Sequence, residues 1–357
     1  MNQSLVTLMN ALPEGADAAI ITSAENRRYF TNMKSSAGTL VVTSKKAYFI
    51  IDFRYIEKAK TVITDFDVIL QDNDIFAQID GILKENEVKT VAIEAGSMTV
   101  GQFQKYCDKL PSYHFLNTNG LSNFISDLRS IKSEEEIGFI TKAQEITDKA
   151  FLHILDYIKP GMTEVEIALE LEYTMKKLGA SNLAFDSIVV SGTNSSLPHG
   201  VPSVKKVENG DFITMDFGAA YNGYCSDMTR TVALGKISDE QKKVYDTVLT
   251  SQLMALEAIC AGKKYSDIDK VARDYIYSQG YEGCFGHGLG HSLGLFIHEE
   301  PRFSSLCDEI TKENTIMTVE PGVYLSGKFG VRIEDMVVIK ENGCVIITKS
   351  EKNLITL

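Results

Sequence analysis

Six histidines occur in the chain, and three of them, His287, His291 and His298, fall in one stretch, GHGLGHSLGLFIHEEP, running from Gly286 to Pro301. Such a cluster suggests a metal site, and acids elsewhere in the chain extend that reading. In ITMDFGAAYNGYCSDMTRTV (213–232), Asn222-Gly223 is a strong hairpin signal that favours a two-residue type I′ turn. With the turn there, Tyr221 faces Tyr224 and Asp216 faces Thr229, two residues from Asp227. Residues two apart on a strand share a face. Provided no bulge intervenes, Asp216 and Asp227 become diagonal neighbours within reach of one cation. Two buried carboxylates are costly unless something positive lies between them, and an ion pair with Arg230 or a lysine would serve as well as a metal. Two further acids sit in TIMTVEPGVYLSGKFGVRIEDMVVI (315–339). Glu320 ends an apolar strand before Pro321-Gly322, and Glu334 lies in a second one, with Arg332 expected on its face. An Arg332–Glu334 pair is the simple reading of that strand. Four acids and an imidazole are hard ligands that suit Mn²⁺, Fe²⁺, Co²⁺ or a catalytic Zn²⁺ rather than a structural Zn²⁺ site. Shared carboxylates also suit a pair of ions about 3.5–4 Å apart.

These residues need a scaffold, and 357 residues are too many for one small core, which predicts two domains. The first, 1–130, alternates short β-branched or aromatic runs (17–22, 38–44, 46–52, 67–71, 90–96) with helical patterns, an α/β unit ending near Arg129. The second, 131–357, reads as α+β. Ser133 with Glu136, Thr163 with Glu166, Ser238 with Gln241 and Ser266 with Asp269 have the spacing of helix-starting boxes. Strand-rich segments separate and follow these helices. A formal charge of −12 repels phosphate backbones and anionic membranes, so neither nucleic acid nor membrane is expected as a partner. No apolar run is long enough to span a bilayer, and no signal peptide is read at the N-terminus. Six scattered cysteines without a CxxC pair read as free thiols of a cytoplasmic protein. GHGLG lacks the spacing of a dinucleotide-binding loop.

The strings LPHG (197–200), MDFGAAYNGYCSDMTRT, GHGLGHSLGLFIHEEPR, VEPGVY and VRIEDMV, in that order, resemble the motifs of the proline-specific metallopeptidases, Xaa-Pro dipeptidase (prolidase) and Xaa-Pro aminopeptidase. ENRRYFTN with GTLVVTSKKAYFIIDFRY is similar to that family's N-terminal domain, and LRSIKSEEEI to its linker, so the likeness covers nearly the whole chain. It implies a pita-bread catalytic domain preceded by a smaller creatinase-like α/β domain. It further implies two divalent ions, Mn²⁺ with Co²⁺ or Zn²⁺ as alternatives, held by Asp216, Asp227, His291, Glu320 and Glu334, with Asp227 and Glu334 bridging.

The same resemblance assigns the remaining polar residues. His199 and His298 would face the scissile carbonyl and its oxyanion. Glu320 would relay a proton, and Arg332 would orient Glu334 or another ligand. His287 would line the substrate side, and Arg302 would meet the free carboxylate of a dipeptide's proline. The implied reaction is hydrolysis of the bond before proline by a metal-bridging hydroxide. Dipeptides are the expected substrates, longer Xaa-Pro peptides the alternative, and a homodimer the expected assembly. From position alone Cys225 shares the face of Asp227 and reads as a packed small side chain.

Overall fold

The structure, a computed structural model, describes residues 2–357, which divide into two compact units, 2–129 and Ser130–Leu357. In the first unit a six-stranded sheet runs in the order Asp67–Leu70, Ala47–Ile51, Thr39–Thr43, Ala18–Ile21, Thr90–Ile93, His114–Leu116. The five β-rich runs read from sequence form five of these strands. The sixth, only three residues long, was too short to show a period. Residues of the two sheet faces pack into separate apolar clusters, one around Phe30, Leu40 and Phe49, the other around Tyr48, Ile79 and Tyr106.

The second unit carries the motifs. Helices Glu134–Tyr157 and Glu164–Lys177 are capped by Ser133 and Thr163, each in a reciprocal box with the glutamate three residues on. Their apolar faces, including Phe151, Ile154 and Leu171, cover strands Phe212–Phe217 and Met228–Ala233. A second pair, Asp239–Ala258 and Tyr265–Ser278, places Val248, Ile268 and Ile276 in a cluster with Phe303, Met317 and Val337. Each such side chain contributes about 1.5–3 kcal/mol on burial, so each helix pair holds its own strands firmly.

One helix start differs from expectation. The last helix begins at Tyr265 behind Lys264, not behind Ser266. Asp269 does not return to a cap because its carboxylate is committed elsewhere. It pairs with Arg273 (2.8 Å) and accepts the amide of Leu289 (2.9 Å). Arg273 in turn donates to the carbonyls of Phe285 and His287. This pair therefore fixes the start of the histidine-rich stretch.

The hairpin at Asn222-Gly223 forms as its sequence predicts. Both turn residues have positive φ (45° and 80°), as a type I′ turn requires. Tyr221 faces Tyr224 beside the turn and Asp216 faces Thr229 farther out, one register with no bulge between. Between the two paired stretches the strands close on Gly218, where a Cβ would lie 1.9 Å from the carbonyl oxygen of Ser226. Only glycine fits there. A five-stranded sheet brings in the later motifs, in the order Glu299–Phe303, Gly290–Ser292, Ile316–Val319, Asp335–Lys340, Gly343–Ile346. A two-stranded ribbon, Gly322–Leu325 with Phe329–Arg332, completes the set.

Candidate active site

A cavity of about 500 Å³ opens in the second unit, and it is lined by every residue singled out above for chemistry. Its acids were expected on strands. Only Asp216 lies within one, while Asp227, Glu320 and Glu334 stand at strand ends or breaks. The apolar run VRIEDMVVI is interrupted at Ile333-Glu334, because the Glu334 amide turns to the carbonyl of Thr229 (3.1 Å) on another strand. Strand pairing thus leads the backbone to the site, and breaks in it aim the carboxylates.

Asp227, His291 and Glu334 converge, each offering a ligand atom within 4.8 Å of the others. Glu320 adjoins them, its Oε1 3.4 Å from His291 Nε2, and Asp227 Oδ2 lies 3.6 Å from the same nitrogen. The tautomer of His291 follows from its neighbour. A carbonyl oxygen only accepts, so Nδ1 carries the hydrogen donated to Ser292 (3.0 Å), and Nε2 presents a lone pair to the acids. Burial pushes the pKa of His291 down to about 4, so the ring is neutral.

The acids move the other way. Burial first, then mutual repulsion among Asp216, Asp227, Glu320 and Glu334, raises Asp227 and Glu334 well above the usual carboxylate range. Burial raises Glu320 to about 7, against the opposing pull of Arg332. The buried Oδ1 of Asp216 has no hydrogen-bond partner. Carboxylates crowded around one fixed cation, an open acceptor and a bare imidazole nitrogen form a donor set that divalent ions fit.

The fixed cation is Arg332, and the acid it pairs with is not its chain neighbour Glu334 but another of the acids expected to hold an ion. It pairs with Asp216 (Nη2 to Oδ2, 2.7 Å) rather than directly with Glu334. Its Nε donates to Thr229 Oγ1 (3.1 Å), which donates to Glu334 Oε2 (2.7 Å). Both acids are thus oriented by one guanidinium, the second through a hydroxyl. Arg230, the partner offered by sequence, is turned away and pairs with Asp335 (2.7 Å). Thr318 works like Thr229, accepting the His291 amide and donating to Glu320 Oε1 (3.1 Å).

Sequence reading gave these threonines no role, although each sits two residues from a singled-out acid. It also passed over Tyr324, which accepts from Arg332 Nη1 (2.8 Å) and donates to His287 Nε2 (3.0 Å). His287 Nδ1 donates to the carbonyl of Gly288 (2.8 Å). Both ring nitrogens of His287 are therefore occupied by the protein's own groups, and burial keeps the ring neutral with a pKa of about 4.

His199 and His298 are more exposed, on loops at the cavity. The His298 ring meets that of His291 edge-on at 4.6 Å. Arg302 is the cross-strand partner of His291, which turns both toward the cavity, and its Nε also meets Glu300 (3.1 Å) at the exposed rim. Phe185, Ile188, Pro198 and Ile297 supply an apolar wall. Cys225 is buried among Ile140, Leu293 and Met336 and does not line the cavity.

Residues 138–341 match metallopeptidase family M24, and residues 3–131 match the creatinase/prolidase N-terminal domain. A Xaa-Pro dipeptidase of Pyrococcus furiosus is 42% identical over 267 residues, 75% of this chain and 76% of the relative. The solved structure of a Xaa-Pro dipeptidase from Bacillus anthracis superposes with a TM-score of 0.97 at 39% identity, covering 100% of both chains. That of an X-Pro aminopeptidase from Thermotoga maritima gives 0.90 at 40% identity, covering 96% of this chain and 98% of the other.

Proposed function

The chain belongs to metallopeptidase family M24, a pita-bread catalytic domain behind a creatinase-type N-terminal domain, and on that premise we propose that it is a dimetal Xaa-Pro dipeptidase. The observation that carries this reading is one cavity holding both the acid–imidazole cluster and the groups suited to a dipeptide. Asp216, Asp227, His291, Glu320 and Glu334 would hold the ions. When bound, the ions supply Lewis acidity and a water that ionises near neutral pH.

The chain's own residues do the rest. His199 and His298 stand at the cavity to meet the scissile carbonyl and steady negative charge on its oxygen. Arg302, beside His291, meets the carboxylate that ends a dipeptide. Phe185, Ile188 and Ile297 give the pyrrolidine ring an apolar wall. Glu320, held by Thr318, carries a proton to the departing proline nitrogen, which has no hydrogen of its own in the peptide. His287 and Arg332 shape the site rather than touch the reacting bond.

A second reading, release of the first residue from longer Xaa-Pro peptides, draws on the likeness to the Thermotoga aminopeptidase. The test is a cleavage panel of Ala-Pro, longer Xaa-Pro peptides and non-proline controls, with Mn²⁺, Co²⁺ or Zn²⁺. Ala-Pro is expected to be the best substrate. Cleavage of the longer peptides alone would replace dipeptidase by aminopeptidase, and no proline dependence would end both. Manganese is our choice of ion, since the donors are hard and oxygen-rich. Six free thiols support a cytoplasmic setting, and no helix among the described residues is long and apolar enough to cross a membrane. A homodimer is the assembly we expect, to be read by light scattering.

A further inference from the structure

Glu164 is fully buried at the first position of helix Glu164–Lys177, far along the chain from the acids of the site. It takes no part in the capping box, which belongs to Thr163 and Glu166. Its carboxylate instead collects the two ends of one loop. Oε1 accepts from the amide and hydroxyl of Ser191 (2.7 and 2.9 Å), and Oε2 from the amide and hydroxyl of Ser203 (3.1 and 2.6 Å). Asn194 Nδ2 meets both oxygens (3.1 and 3.2 Å). The helix start adds two backbone bonds, Glu164 N to Lys205 O and Val165 N to Ser203 O.

The span from Ser191 to Ser203 is the loop that carries Pro198-His199 to the cavity. Two further ties hold its middle. Gly330 N donates to Ser195 Oγ (2.9 Å), and Arg332 Nη1 donates to Pro198 O (3.1 Å), one residue before His199. The His199 side chain is exposed, so the loop backbone, rather than packing around the ring, decides where that ring can reach. A carboxylate is required at 164, because every group around it donates. An amide would turn hydrogens toward the hydrogens of Ser191 or Ser203.

We propose that Glu164 is a positioning residue for His199: by tying Ser191 to Ser203 it fixes the loop that aims the His199 ring into the cavity. The inference rests on the reading in which His199 meets the scissile carbonyl. It is tested with wild-type protein, E164Q, H199A and the double variant, comparing kcat and KM for Ala-Pro. H199A is expected to lower kcat about 100-fold, the loss typical of one oxyanion donor. E164Q is expected to lower it about 10–100-fold by misplacing a group it does not touch. The double variant should be no slower than H199A, since both changes remove one function. A double variant whose loss is the product of the two would overturn the role of Glu164 and leave the functional reading standing. An H199A enzyme at full rate would overturn both.

A second readout needs no turnover. With six histidines in the chain, the His199 ring resonance can be assigned by its loss in H199A. In zinc-loaded protein, whose ion is diamagnetic, E164Q should broaden or split it, and an unaltered line would refute the proposal. Where E164Q does not fold, S203A removes one donor at 2.6 Å and should act in the same direction more weakly.

Discussion

At the scale of single residues, the site depends on hydroxyls that stand between charged groups. Thr229 Oγ1 accepts from Arg332 and donates to Glu334, so one oxygen couples a fixed cation to a proposed ligand. T229V keeps the shape and deletes that oxygen. Ion affinity, read by calorimetric titration, should fall about 10–100-fold, the usual cost of losing support behind a ligand. The metal-free protein should lose about 1–3 kcal/mol for the stranded partners. An unchanged affinity would mean that Glu334 is oriented by other means. The acids and histidines were legible in the sequence because their types and spacing are distinctive. Thr229, Thr318 and Tyr324 were not, since each gains its meaning from partners that only the fold supplies. Arg332 shows the same limit. Its nearest acid along the chain is Glu334, yet its ion-pair partner is Asp216, 116 residues away.

At the scale of elements, the hairpin was legible to the exact pairing because a two-residue turn leaves one register. The breaks at Asp227 and Glu334 were not, because they arise where strands of separate sheets meet. The close approach at Gly218 makes the hairpin testable. G218A would drive a methyl into the carbonyl oxygen of Ser226 and part the strands between Asp216 and Asp227. The expected result is a loss of about 1–3 kcal/mol in urea unfolding, with weaker ion binding. G286A, where an added Cβ meets nothing within 4 Å, should change stability by less than about 0.5 kcal/mol. Equal effects at the two positions would refute this account of the turn.

At the scale of the molecule, the site gathers like charges that folding alone does not neutralise. Glu320 moves from an ordinary 4.5 to about 7, and Asp227 and Glu334 are also raised. A raised acid favours the folded state while protonated, and that stability is lost as pH rises through its folded value. His287 and His291 are lowered from 6.5 to about 4, so their neutral forms contribute fully above 6.5 and lose that contribution as pH falls toward 4. Above pH 6.5 only the acids still act. Metal-free protein should therefore weaken as pH rises from 6.5 through 7 to 8, and Mn²⁺ should abolish the decline, both read from urea midpoints. A flat metal-free profile would contradict the raised values. The bond from His291 Nδ1 to the Ser292 carbonyl has one more consequence. The nitrogen facing the acids is bare before any ion arrives, so this ring has no hydrogen to surrender on binding. Protons expelled as an ion enters, counted by calorimetry in buffers of different ionisation heat, come from the carboxyls and from any water the ions ionise, and none from this ring. The histidine ligand therefore leaves the proton count to the acids and the bound water.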